Sequence, residues 1–488
     1  MTLTTERAQT FDSLEPGTGA VYATFPVQTA QEVQAAVDRA KAAAPWWEGL
    51  GFDGRKDRLD AWRVLLVKRL PDIAEAMHRE NGKPVADAMI ELALAMDHLS
   101  WAAKNARKVL GQRRVPSGLL QANHAAFLEY APLGVVGVIG PWNYPVFTPM
   151  GSIAYALAAG NTVVFKPSEY TPAVGKLFVD AFAEVVTEQP VLQLVTGFGE
   201  TGAALCRAGV GKIAFTGSTR TGKKVMAACA ETLTPVLMEC GGKDAMIVDD
   251  DADVKTAAGH ALWGGMANAG QTCIGIERVY VTEKSYDGFL AALKDKVTHV
   301  EAGRSYGNIT MPSQVDVIRE HIADALSHGG TALVGGGIDG TLVQPTVLLE
   351  TPETSLAVQE ETFGPTLTVT KVKDADEAVE LANATSYGLA GAVYSKRRGM
   401  EIARKLRSGM TSINAVQAFA GIPALPFGGV GESGFGRIHG EDGLREFTRA
   451  KAITKQRMRP LLALTTFERT PRADAALVKV VRFLYGRR

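Results

Sequence analysis

Val135-Val136-Gly137-Val138-Ile139 is followed, after a polar break with prolines, by an apolar helical pattern over 151–159 and then by Thr162-Val163-Val164-Phe165. Two short β-branched runs without polar alternation, separated by a helix-length segment, read as buried parallel strands joined by a crossover. The rhythm continues downstream. A helix is expected over 171–186, with Thr171 as its cap, Pro172 in its first turn, and Val174, Leu177, Phe178, Phe182 and Val185 on one apolar stripe. Further strands are expected at 191–195, 212–215 and 235–238. The alternation predicts an α/β fold whose first half is a Rossmann-like, mostly parallel sheet covered on both faces. After Gly242 a second α/β series begins, with strands at 245–248 and 278–281 and helices at 254–268 and 285–300. Asp374, three residues before Glu377, is placed to cap a later helix.

Upstream, residues 31 to about 114 are helical in pattern, with alanine-rich segments at 31–44 and 58–69 that should pack on the sheet. Residues 115–130 break that pattern, and 124–130 fits a hairpin strand. Beyond Lys455 the chain carries Arg457, Arg459, Arg469, Arg472, Lys479, Arg482, Arg487 and Arg488 among Val480, Val481, Phe483 and Leu484. This basic amphipathic tail is expected to be solvated or packed on another subunit rather than to lie on an anionic membrane.

At 488 residues the chain exceeds one ordinary core, so two or three domains are expected. Lysine plus arginine equals aspartate plus glutamate at 52 each, which gives no field to hold nucleic acid. Cys206, Cys229, Cys240 and Cys273 form no CxxC or Cys/His cluster, so neither a disulfide framework nor a metal site is expected. The first 15 residues carry Glu6, Asp12 and Glu15, unlike a signal peptide, and the apolar run 145–165 is broken by Pro149, Gly151, Gly160 and Asn161. A cytoplasmic protein is the expectation.

Five stretches carry chemistry. Asn268-Ala269-Gly270-Gln271-Thr272-Cys273 ends on a cysteine set on a glycine-broken bend, where a thiolate can attack a carbonyl carbon, although a lone cysteine is otherwise a small core residue. Glu239 follows Val236-Leu237-Met238 and sits at a strand end, where desolvation raises a carboxyl toward the range of a general base. Asn143, just past the strand 135–139, offers an amide donor for an oxyanion, with the Cys273 N–H as partner. Gly217-Ser218-Thr219-Arg220-Thr221-Gly222, and Gly197-Phe198-Gly199 with Gly202, open helices whose N–H groups suit a pyrophosphate, though neither matches GxGxxG.

Taken in order, Pro141-Trp142-Asn143-Tyr144-Pro145, Glu239-Cys240-Gly241-Gly242-Lys243, the Cys273 stretch and Glu361-Thr362-Phe363-Gly364-Pro365 resemble the aldehyde dehydrogenase superfamily, over nearly the whole chain. The resemblance implies an NAD(P)-dependent, non-CoA-acylating enzyme that makes a carboxylic acid through a Cys273 thiohemiacetal and thioester. Glu239 is then the hydrolytic base and Asn143 the oxyanion donor. It also implies cofactor contacts from Ile139, Pro141, Trp142, Lys166, Ser168, Glu169, Gly199, Gly202, Gly217, Ser218, Glu361 and Phe363, with Glu169 favouring NAD while NADP stays possible. The glycine-rich run 426–436, with Pro426-Phe427-Gly428-Gly429, is expected to close the site. Tyr144, Phe147, Phe419 and Phe427 are candidate substrate walls or core packing. Cys240 replaces the leucine common at its place; it reads as an apolar filler or, on oxidation, a disulfide partner for Cys273.

The implied organisation is a cofactor domain over 1–112 and 133–240, a catalytic domain over 241–435, and an oligomerisation arm and tail over 113–132 and 436–488. A homodimer or homotetramer is expected. Two substrate hints diverge. Gly431, where many relatives carry lysine, resembles the branch acting on apolar aliphatic and aromatic aldehydes, whereas Cys273-Ile274-Gly275-Ile276-Glu277-Arg278 resembles succinate-semialdehyde relatives. The apolar aldehyde is the preferred reading, with a succinate-semialdehyde-type or CoA-acylating dehydrogenase as the alternatives. A cofactor-free cysteine hydrolase would need a histidine in a motif with Cys273, and none is present. A non-catalytic protein on the same fold would not need Asn143, Glu239 and Cys273 together.

Overall fold

Every residue of the strands Val135–Ile139 and Thr162–Lys166 is buried, as continuous apolar runs require when helices cover both faces of a sheet. The computed structural model describes residues 9–460 and 465–486; Glu6, Arg487 and Arg488 lie outside the described residues. The chain forms two compact units, one of Met1–Val109 with Pro132–Arg449 and one of Leu110–Ala131 with Ala450–Arg488.

In the first unit, one sheet runs Gly434–Phe435, Val236–Glu239, Lys212–Thr216, Val135–Ile139, Thr162–Lys166, Leu192–Leu194, all parallel except the two-residue edge strand. The other runs Thr331–Val334, Thr346–Leu349, Thr366–Val372, Ile276–Thr282, Asp244–Val248, Ala390–Tyr394, Met410–Ile413, with only its first pair antiparallel. The predicted strands are present within a few residues. The edge strand Leu192–Leu194 falls within the strand expected at 191–195, whereas the edge strands Gly434–Phe435, Thr331–Val334 and Met410–Ile413 were not expected, nor was the N-terminal hairpin Thr10–Leu14 with Val21–Pro26.

Four helices precede the first sheet: α1 (Ala30–Gly49), α2 (Gly51–Lys68), α3 (Leu70–Asn81) and α4 (Val85–Leu110). Thr29 and Glu32 close a capping box at the start of α1. Trp47 and Trp62 are fully buried, and their indole N–H groups donate to Leu157 O at 2.9 Å and Phe178 O at 3.0 Å. Those acceptors lie on α5 (Phe147–Ala159) and α6 (Pro172–Val185), the helices that connect the sheet's strands.

The start of α6 corrects the sequence reading. Thr171 makes no capping bond, and its hydroxyl is buried without a partner. The cap comes from α3: Glu80 accepts from Ala173 N and Val174 N, both at 2.9 Å, and from the Ser13 hydroxyl at 2.5 Å. A carboxylate on exposed helix N–H groups satisfies the donors and meets the positive end of the helix dipole. By contrast Asp374 caps its helix as expected, accepting from Asp376 N at 3.1 Å and Glu377 N at 3.0 Å.

The second unit holds a three-stranded sheet in the order Thr448–Gln456, His124–Pro132, Arg113–Val115, which contains the expected strand near 124–130. A helix, Pro471–Tyr485, lies near its end. No helix among the described residues is long and apolar enough to cross a membrane.

Glu80→Ala should leave two buried N–H donors unsatisfied and cost about 1–3 kcal/mol. Thermal or urea unfolding should show the loss, while Thr171→Ala should be close to neutral.

Candidate active site

The strand order supplies the site's location. From Val135–Ile139 the chain builds outward through Thr162–Lys166 to Leu192–Leu194, then crosses back to place Lys212–Thr216 on the other side. The reversal opens a crevice at the carboxyl end of Val135–Ile139, where α/β sheets bind ligands. Residues 140–145 leave the strand there.

Cys273 comes to this crevice on a strained turn. The helix α9 (Val254–Met266) ends two residues earlier than expected, and Asn268, Ala269 and Gly270 follow with φ of 54°, 57° and 71°. Three consecutive left-handed residues are costly for anything but glycine, and such strain collects at functional sites. Gly270 has no alternative, since a Cβ there would stand 1.9 Å from Gly364 O. The turn is held from the first sheet: Asn143 Nδ2 donates to Gln271 O at 2.9 Å, and Asn268 Nδ2 donates to Asn143 O at 3.0 Å. The hydroxyls of Tyr144 and Thr272 meet at 2.9 Å.

A cavity of about 150 Å³ opens beside this turn. Cys273, Glu239, Tyr144, Phe147 and Phe427 line it, together with Ile90, Leu94, Trp263, Ile274, Val416 and Ile438. Ile90 and Trp263 are half exposed at 55% and 51%, whereas Glu239 is buried at 3%. Phe419 is not on the wall; it packs behind Phe427 with ring centroids 6.4 Å apart. Cys240 lines the same cavity as Cys273.

Burial sets the proton affinities. Glu239 has one oxygen buried without a partner, and desolvation holds its carboxyl well above the usual range, opposed by the charge of Arg437. The Cys273 thiol is pushed up by burial and then by the nearby carboxyls of Glu239 and Glu361, against a backbone hydrogen bond from Ile274. Cys240 is pushed up to about 12 by the same causes.

A second group surrounds the sheet's rim. Lys166, the last residue of its strand, is buried, donates to Pro167 O at 3.1 Å and stands 3.8 Å from the Glu169 carboxylate. Gly202, inside α7 (Gly199–Arg207), would place a Cβ 3.6 Å from the Lys166 side chain and 3.8 Å from Ile139. Ser218 caps α8 (Thr219–Ala230), just after Gly217, and Ser168 bonds Tyr170 N at 3.3 Å. Trp142, after Pro141, meets Phe363 edge to face at 5.5 Å. Glu361 accepts from Gly242 N at 2.9 Å and is pushed up to about 8 by burial and by Glu277. A Cβ on Gly241 would lie 2.1 Å from that carboxylate, so a side chain there would displace Glu361.

The family model described as the aldehyde dehydrogenase family matches residues 3–453. The chain belongs to the aldehyde dehydrogenase family. It is 36% identical to a 4,4'-diapolycopene aldehyde oxidase of Methylomonas sp over 90% of this chain and 84% of that one. It is 34% identical to a glutarate-semialdehyde dehydrogenase of Pseudomonas aeruginosa, over 92% and 94%. Among solved structures it is similar to the NADP-dependent glyceraldehyde-3-phosphate dehydrogenase of Bacillus halodurans in complex with NADP, with TM-score 0.88 and 32% identity over 92% of this chain and 96% of that one.

Two buried ion pairs in this aldehyde dehydrogenase were not singled out from sequence. Lys83 binds Glu91 at 2.5 Å and donates to Asn143 O at 2.8 Å, while Glu91 accepts from Val146 N and Phe147 N at 2.9 and 3.0 Å. The pair therefore fixes Asn143 and caps α5 together. Lys243 pairs with Glu277 and reaches Thr362 Oγ1 at 3.1 Å, and Glu277 accepts from Thr362 N and Phe363 N at 2.9 and 3.1 Å. That pair sets the loop carrying Glu361 and Phe363. Lys243 and Glu277 stand in motifs visible in the sequence, but nothing local says that they meet.

Lys83→Met should leave Glu91 buried without its counter-charge and cost about 3–5 kcal/mol, read as a lower unfolding midpoint. For the thiol, alkylation of Cys273 by iodoacetamide should keep rising with pH beyond the point where free cysteine levels off, because the thiolate is the reactive form. Glu239→Gln should move that profile to lower pH.

Proposed function

We propose that this aldehyde dehydrogenase oxidises an apolar aldehyde to the free carboxylic acid, with Cys273 as nucleophile, Glu239 as base and Asn143 as oxyanion donor. The carrying observation is the cavity: Cys273 and Glu239 share it with a wall that is otherwise largely aliphatic and aromatic. Lys83 is the one basic side chain on that wall among the described residues, and it is already bound to Glu91 and Asn143 O. A substrate with a distal carboxylate would meet no uncommitted cation there, and Asp87 on the same wall would repel it. The name of the Methylomonas relative points to the same substrate class.

In the proposed sequence the Cys273 thiol gives up its proton to solvent, and the sulfur attacks the carbonyl carbon. Asn143, oriented by its bond to Gln271 O, and the Cys273 N–H stabilise the oxygen that becomes negative. A bound nicotinamide dinucleotide supplies the hydride acceptor for the oxidation. Glu239 then takes a proton from a water molecule as the water oxygen attacks the thioester carbon; the C–S bond breaks, the acid leaves, and Glu239 returns the proton to the sulfur to restore the thiol. The rim suits such a dinucleotide by its donor set: the α7 and α8 N-termini for phosphates, Lys166 and Glu169 for ribose hydroxyls, and Trp142, Glu361 and Phe363 about the second ribose and ring. The Glu169 carboxylate favours NAD over a 2′-phosphate. On this reading 1–112 and 133–240 serve the cofactor, 241–435 the chemistry, and the arm 113–132 self-association.

The glutarate-semialdehyde relative favours a second reading, a semialdehyde substrate. Against it, Arg278 is buried and donates to the carbonyls of Lys243, Leu381 and Ala382, so it offers nothing to a substrate carboxylate.

The test follows reduced nicotinamide with NAD or NADP and a panel of aldehydes. Medium-chain and aromatic aldehydes should exceed succinate and glutarate semialdehydes in kcat/KM by about tenfold or more, as a few buried methylenes supply; the reverse order would sink the apolar reading. Cys273→Ala should be inactive, and Asn143→Ala should lose about 10²–10³-fold in kcat. Because Glu239 must be ionised to act and burial raises its pKa, acid release should rise with pH through that raised value. Glu239→Gln should abolish this limb and leave a single-turnover burst. A requirement for coenzyme A would indicate acyl transfer instead of hydrolysis.

A further inference from the structure

The helix Pro471–Tyr485 lies wholly beyond the family match, which ends at residue 453, so the aldehyde dehydrogenase fold does not account for it. Thr470 caps its start, its side chain accepting from Ala473 N, and not one of its residues is buried. At about 100° per residue, Leu477, Val480, Val481 and Leu484 fall on one side, while Arg472, Lys479 and Arg482 fall together on the other. Val478, Val480, Val481 and Tyr485 are exposed at 49%, 36%, 41% and 70%. An apolar face left in water is costly, and it marks a surface that something covers.

Charge says what kind of surface. The last 34 residues carry nine basic and two acidic side chains, in a chain whose totals are equal at 52 each. The preceding 454 residues therefore hold seven more acidic than basic groups. Positive charge is segregated into the segment that also holds the unburied apolar face. Pairing this helix with a second copy through the apolar face would leave both basic faces in water without a counter-charge, whereas an anionic bilayer supplies both an apolar layer for the valines and leucines and phosphates for the arginines and lysine. With no helix among the described residues able to cross a membrane, the contact would be at the surface and reversible.

We propose that Pro471–Tyr485 is an interfacial helix that docks this enzyme on anionic lipid bilayers. It lies in the head-group region with Leu477, Val480, Val481 and Leu484 toward the acyl chains and Arg472, Lys479 and Arg482 toward the phosphates. The docking does not depend on which aldehyde the enzyme oxidises.

The experiment is co-sedimentation of the full-length protein with sucrose-loaded vesicles of phosphatidylcholine alone or mixed with phosphatidylglycerol. Two variants are compared: Val480→Glu with Val481→Glu, and Arg472→Gln with Lys479→Gln and Arg482→Gln. All substituted side chains are exposed, so folding should survive, and circular dichroism with turnover of a short water-soluble aldehyde confirms it. Wild type should bind the anionic vesicles about tenfold or more better than the neutral ones, and lose that binding in high salt. Both variants should lose it at any salt. Equal partition of wild type and variants, or no binding to anionic vesicles, overturns the proposal. So does a change of oligomeric state in the Val480/Val481 variant by analytical ultracentrifugation, which would assign the face to packing between copies of the chain.

Discussion

Asn268 donates a buried hydrogen bond to the Asn143 carbonyl across 125 residues of sequence, Asn143 donates in turn to the Gln271 carbonyl, and the position of the cysteine depends on these two bonds. One partner lies in the segment that follows the strand Val135–Ile139 of the first sheet; the other sits in the left-handed turn before the second sheet's strand Ile276–Thr282. Lys83 adds a charge-assisted bond to the Asn143 carbonyl, and Gln271 extends the network by accepting from Thr310 N at 2.8 Å. Buried polar groups of this kind favour one arrangement strongly, because any shift leaves a donor or acceptor without water to replace its partner. The strained turn persists because its surroundings fix it from several directions.

The same dryness governs the chemistry. Glu239, Glu361 and Asp244 are all held above the usual carboxyl range by burial, and the Cys273 thiol rises with them. A thiol in that setting holds its proton more tightly than a free one, which protects it until the proton is lost and the sulfur becomes a nucleophile. In the proposed function, the aliphatic wall that would receive an apolar aldehyde belongs to the same dry surroundings that raise the Glu239 carboxyl toward the range of a base.

Much of this was legible in the chain. The unbroken apolar strands announced a sheet covered on both faces, and the glycines of 239–243 and 268–273 announced bends. Gly241 and Gly270 prove to be places where a Cβ would collide with Glu361 and Gly364. Helix starts divide by the source of the cap. Asp374 caps its own helix and can be read from neighbours in sequence, whereas α6 takes its cap from Glu80, 93 residues before the Ala173 amide it satisfies. Thr171 has the right chemistry in the right place and is outcompeted by a carboxylate delivered through the fold.

By itself, the sequence determined the alternation of strands and helices, the families of turns, and the residue types able to attack a carbonyl and accept a proton, because periodicity and side-chain chemistry are local. The tertiary structure alone decided which charges meet. Lys83 with Glu91, and Lys243 with Glu277, cost too much to bury singly, so each pair forms only where the completed fold brings both ends together and removes water at the same time. The closed wall of the cavity, the exclusion of Phe419 from it and the withdrawal of Arg278 into the core have the same origin: they depend on where packed elements come to rest, which no short stretch of chain encodes.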